Sequence, residues 1–99
     1  MSTYIYESHL GGYYASKVYA TPDDLYCESC GDSDWNLGQY DTLRQFLEET
    51  ANNIDCNDGW GGYPLESVIE DIGWAFEDKL TYDEAKEIVL TNRTMEEDK

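Results

Sequence analysis

The sequence predicts an α+β fold: a small three-stranded antiparallel sheet with three helices packed on one face, in the order βββααα. Three observations predict it. The opening segment is rich in Tyr, Ile, Val and Thr and is interrupted by Gly11-Gly12, a hairpin signal. The later half carries apolar residues at helical spacing. No internal repeat or long linker separates the two halves, so residues 1–93 are expected to form one domain, with 94–99 a frayed acidic tail.

The elements follow in order. Thr3 to Ser8 reads as the first strand and Tyr13 to Tyr19 as its hairpin partner, broken by Thr21-Pro22-Asp23-Asp24. Asp34 to Tyr40 alternates as a third strand, with Gly38 placed for a bulge. Asp41 then suits an N-cap for a helix running to about Asn52, with Leu43, Phe46, Leu47, Thr50 and Ile54 on one side. Asp55 to Tyr63 is turn chemistry around Trp60. Pro64 suits the first position of a second helix, whose apolar arc is Leu65, Val68, Ile69, Ile72, Phe76 and Leu80. Thr81 and Glu84 match a capping box for a third helix, with Tyr82, Ala85, Ile88 and Val89 facing inward.

Charge dominates the composition. Asp and Glu number 22 against 6 Lys and Arg in 99 residues, a net charge of −16. The stretch before Thr21 is nearly balanced, whereas no Lys or Arg lies between Arg44 and Lys79. Such a domain repels itself and would be repelled by nucleic acid and anionic lipid, so its natural partners are basic proteins. Nine Tyr, three Trp and two Phe supply enough buried area per residue to argue against disorder. There is no membrane-length apolar run and no secretory pattern. Three cysteines, an odd number, fit a reducing cytoplasm better than a disulfide framework.

On a helical wheel the second helix places Glu66, Glu70 and Glu77 in one stripe and Asp71 and Asp78 in a neighbouring one. Trp74 projects between them. It is either an interface anchor among steering charges or a ring covered by another element. With Asp23, Asp24, Asp32 and Asp34 of the Cys-containing loop, these residues are the candidate partner-binding set. Cys27-Glu-Ser-Cys30-Gly31 is half of a zinc knuckle, or two reduced thiols in a turn. Only Cys56 and His9 are available as further soft donors, and neither shows ligand spacing. Asp55, Asn57 and Glu66 fall on a calcium-loop template, but Trp60 occupies its obligatory Gly position and the match fails. The single His, the lack of a Gly-rich loop followed by Lys and the lack of basic patches argue against an enzyme and against direct nucleic-acid binding.

Tyr4-Ile-Tyr-Glu-Ser8 with Gly11-Gly12-Tyr13, and Leu25-Tyr-Cys-Glu-Ser-Cys-Gly-Asp-Ser-Asp-Trp35 with Gly38, resemble a family of small acidic proteins of phages and mobile elements of Gram-positive bacteria. The opening also resembles the start of ArdA-type antirestriction proteins, which mimic DNA. The resemblance implies a non-enzymatic inhibitor that occupies the nucleic-acid-binding surface of a host defence or DNA-binding protein, of anti-CRISPR or antirestriction type. Two other classes fit the same residues. One is an immunity or antitoxin protein plugging a nuclease active site. The other is a zinc-stabilised interaction module whose charge serves solubility.

Overall fold

The computed structural model describes residues 3–93; the acidic tail expected at 94–99 lies outside them. β1 (Thr3–Glu7) pairs antiparallel with β2 (Tyr13–Ser16) on one side and β5 (Trp35–Tyr40) on the other, giving the sheet order β2-β1-β5. The β1–β2 register aligns Ile5 with Ala15 and Glu7 with Tyr13. Against β5, Ile5 meets Gly38 and Tyr6 meets Asn36, so the ladder skips Leu37 in a bulge beside Gly38, as the sequence predicts.

Alternation along β1 and β2 divides the sheet into two faces. Ile5 and Tyr13 belong to the main core, with Tyr40, Phe46, Leu47, Val68, Ile72, Ile88 and Val89, and Ala15 packs against it. Phe46 sits edge-on to both Tyr13 and Tyr40, each ring centroid 5.1 Å away. Helices α2 (Leu43–Glu49), α3 (Leu65–Ile72) and α4 (Tyr82–Asn92) contribute the other side of this core. The opposite face carries Tyr6 and Tyr14, stacked at 5.3 Å. The segment from Ala20 to Asp34 is tied to it: Ala20 N–H donates to the Tyr6 hydroxyl and the Tyr14 hydroxyl donates to Asp34.

The fold is mixed α+β with a small three-stranded antiparallel sheet, but its order is richer than βββααα. A four-residue helix, α1 (Pro22–Leu25), is inserted after β2, with a capping box between Thr21 and Asp24. A short hairpin, β3 (Tyr26–Cys27) and β4 (Asp32–Ser33), follows. β6 (Ile54–Asp55) and β7 (Tyr63–Pro64) form a parallel bridge that closes the Trp60 turn.

Several boundaries also differ from expectation. β2 ends at Ser16 rather than Tyr19. The N-cap of α2 is Thr42, whose hydroxyl accepts from Gln45 N–H, while Asp41 N–H donates to the Gln45 side chain. The α2 helix stops at Glu49 and continues as a 3-10 turn, Ala51–Asn53.

The largest correction concerns the second predicted helix, which does not run from Pro64 to Leu80. α3 ends at Ile72, and a 3-10 turn, Gly73–Ala75, takes over. The Ala75 carbonyl accepts from Lys17 Nζ at 2.6 Å and Thr3 Oγ1 at 3.1 Å, so the sheet captures it. Tertiary bonds here outweigh the helical period. Phe76 still reaches the core and Leu80 packs against it, though neither is on the helix. The Thr81–Glu84 capping box forms as predicted at the start of α4. Among the described residues no helix is long and apolar enough to cross a membrane.

Candidate metal centre and exposed acidic surface

The β1–β2 turn sets the first component. Ser8 N–H donates to Gly12 O and Gly11 N–H to Ser8 O, both at 2.9 Å, and Leu10 N–H donates to Ser8 Oγ. This closed turn places His9 just beyond the end of β1. Because β5 runs antiparallel to β1, with Trp35 opposite Glu7, the start of β5 returns to the same end of the sheet. Asp34, immediately before β5, therefore meets His9. Its Oδ1 accepts from His9 N–H at 2.9 Å and lies 2.5 Å from His9 Nδ1. Its Oδ2 accepts from the Tyr14 hydroxyl at 2.5 Å.

Electrostatics follow from these contacts. The Tyr14 hydroxyl and then His9 stabilise the Asp34 carboxylate, pulling its pKa down to about 2. Asp34 in turn raises the pKa of His9. Burial, then Asp34, pushes the Tyr14 phenol up.

The second component is the turn between β3 and β4. Gly31 N–H donates to Cys27 O at 2.9 Å, and Gly31 adopts φ +75°, a conformation that disfavours a side chain. The turn brings Cys30 back beside Cys27. Hydrogen bonding within the pair lowers the pKa of Cys27 and raises that of Cys30. Asp34 N–H donates to Leu25 O, which ties this loop to the same carboxylate-bearing residue.

The outcome is a three-residue cluster. One donor atom from each of His9, Cys27 and Cys30 lies within 4.8 Å of the others, a grouping able to hold a metal ion. Cys27 and Cys30 were the sequence's half-site; His9 has no ligand spacing and is supplied by topology. Antiparallel pairing of the third strand with the first, together with a tight Gly-Gly turn, was the signal that could have placed it. Cys56 is not part of the cluster; it is buried in the core, where burial pushes its thiol pKa up.

The predicted partner-binding residues divide into two groups. Asp23, Asp32, Glu66, Glu70, Asp71 and Glu77 are exposed. Three others are engaged within the fold, although Asp24 is itself exposed. Asp34 holds His9 and Tyr14. Asp24 accepts from Thr21 N–H in the α1 cap. Asp78 accepts from Leu43 and Arg44 N–H at the N-terminus of α2 and lies off α3, so the two stripes drawn through Glu77 and Asp78 do not form on one helix.

Trp74 is 59% exposed on the 3-10 turn, and its indole N–H donates to Asp71 O. Two shallow depressions of about 400 and 270 Å³ meet at Ile69. Glu66, Glu70 and Tyr82 line the first, and Trp74, Lys79 and Leu80 the second.

No protein-family model, curated protein or solved structure matches this chain.

Proposed function

We propose that this protein is a non-enzymatic acidic inhibitor, of phage or mobile-element type, that docks on the basic nucleic-acid-binding surface of a host defence or DNA-binding protein. One observation carries the reading. Glu66, Glu70 and Asp71 are exposed along α3 beside the exposed Trp74 ring. The ion pairs among the described residues, His9–Asp34, Arg44–Glu48 and Arg93–Asp58, engage none of them.

Several basic groups are directed elsewhere. Lys17 donates to the Ala75 carbonyl and Thr3 hydroxyl, and Arg93 to Asp58 and the Ile54 carbonyl. Lys79 is the basic residue that lines the Trp74 depression, and no ion pair among the described residues joins it to Glu66, Glu70 or Asp71.

Carboxylates four residues apart on a helix are separated by about 6 Å along its axis, and duplex DNA carries one charge per roughly 1.7 Å. Several such residues present a basic groove with negative charge in the manner of a phosphate backbone. Trp74 adds an aromatic anchor with apolar surroundings, the kind of residue that concentrates binding energy at interfaces. The charges steer encounter and Trp74 slows dissociation.

The test is affinity capture from bacterial lysate with the wild-type chain and with Glu66→Lys/Glu70→Lys/Asp71→Lys. The reading expects a nucleic-acid-binding protein retained by the wild type, released by duplex DNA and lost with the triple variant. Retention of the same partner by the reversed surface would overturn it.

A further inference from the structure

The His9–Cys27–Cys30 cluster has a chemical logic separate from the docking face. We propose that it is a zinc site with three protein donors, His9 Nε2, Cys27 Sγ and Cys30 Sγ, and an exchangeable fourth position.

The donor set selects the metal class. Thiolate and imidazole together suit zinc, whereas calcium and magnesium require oxygen ligands. Zn–S bonds of about 2.3 Å and Zn–N bonds of about 2.0–2.1 Å place tetrahedral donors roughly 3.3–3.8 Å apart. Donor atoms already gathered within 4.8 Å need only a small contraction to reach that geometry. The Cys27-x-x-Cys30 turn closed by Gly31 N–H onto Cys27 O is a compact two-thiolate grip.

Asp34 decides which imidazole nitrogen binds. It lies 2.5 Å from Nδ1 and accepts the His9 backbone N–H as well, so the ring and the residue are both fixed by one carboxylate. Tyr14 holds the other oxygen of Asp34. Nδ1–H therefore points to Asp34 and Nε2 is left with its lone pair for metal. A carboxylate behind a histidine ligand fixes the tautomer and makes the free nitrogen a better donor.

Each protonated thiol gives up its proton as its S–Zn bond forms, and His9 coordinates as neutral imidazole, releasing the Nε2 proton wherever the ring starts as imidazolium. Two thiolates balance the ion's two positive charges, so loading the site leaves the acidic surface uncompensated. Structurally, the ion joins the β1–β2 turn to the loop bearing Asp23, Glu28 and Asp32. Three donors from this cluster leave a fourth place for water or another small ligand, the pattern of an open site.

Metal-stripped full-length protein is titrated with zinc against a chromophoric chelator, and with cobalt(II) as a spectroscopic stand-in. One equivalent of zinc should bind, and cobalt should give sulfur-to-metal charge-transfer bands with tetrahedral ligand-field bands. Added imidazole should shift the ligand-field bands by entering the fourth position. Cys27→Ser and Cys30→Ser should abolish the charge-transfer signature or weaken it strongly, and Cys56→Ser should leave it intact. Asp34→Asn should bind zinc about 10–100-fold more weakly while retaining two-thiolate bands.

Circular dichroism of each metal-free variant identifies any that fail to fold, and the wild-type titration stands regardless of them. Substoichiometric zinc at saturation, or equal loss with Cys56→Ser, would overturn the site. A cobalt spectrum indifferent to imidazole would overturn the exchangeable position. Unchanged affinity in folded Asp34→Asn would overturn its positioning role.

Discussion

Asp78 and Glu77 are adjacent carboxylates of the same charge, yet the structure assigns them different work. Asp78 Oδ1 accepts from Leu43 N–H at 2.8 Å and Oδ2 from Arg44 N–H at 3.0 Å, satisfying two donors at the N-terminus of α2 from 35 and 34 residues away. Glu77 is exposed. Asp78→Ala removes both bonds and a negative charge from the positive end of a helix. Loss of such a cap costs about 1–2 kcal/mol. For a domain of this size that corresponds to a fall in Tm of roughly 5–15 °C. Glu77→Ala should change stability by no more than about 0.5 kcal/mol.

Paired thermal and urea denaturation of the two variants reads the difference directly. The same variants separate stability from docking: Glu77 remains available to a partner, whereas Asp78 is committed to α2. Equal Tm values for the two variants would refute the division of the acidic residues into structural and presented groups.

Two further predictions concern the Trp60 turn. Gly62 has φ +114°, and a Cβ there would collide with the Asn53 carbonyl oxygen across the β6–β7 bridge. Gly62→Ala should therefore destabilise by well over about 1 kcal/mol, as chemical denaturation would show, whereas Gly substitutions with compatible φ and space do not. Arg93 stacks 4.4 Å from the Trp60 ring centroid and donates to Asp58, which lowers the Asp58 pKa below its ordinary 3.8. A depressed carboxylate contributes stability that is present above its unfolded pKa and lost as pH falls through the folded one. The gap in Tm between wild type and Asp58→Asn should hold steady at neutral pH and narrow below about pH 4; a gap that widens in acid would contradict the pairing.

The elements legible in the sequence were those whose signals are local. Gly11-Gly12 marks the first hairpin, Gly38 the bulge, and Thr81 with Glu84 the start of α4, because each depends on neighbours within a few residues. Phe46, Val68 and Ile88 followed from periodicity into the core. Apolar spacing misled where two structures share one pattern. Phe76 and Leu80 fit a continued helix on paper, but capture of the Ala75 carbonyl by Lys17 and Thr3 ends α3 early. Thr42 and Asp41 are both competent caps, and only the backbone path decides between them. α1 and the β3–β4 hairpin are too short to leave a periodic trace. In the site, Cys27 and Cys30 were visible as a spacing motif. His9 was not, because β1–β5 pairing is what brings it against Asp34, 25 residues away.

The docking account is tested most directly by the affinity of this protein for its captured partner, measured across a salt series with and without duplex DNA. Binding that weakens steeply with salt and is displaced by DNA is the predicted result. A tight complex indifferent to both would contradict it.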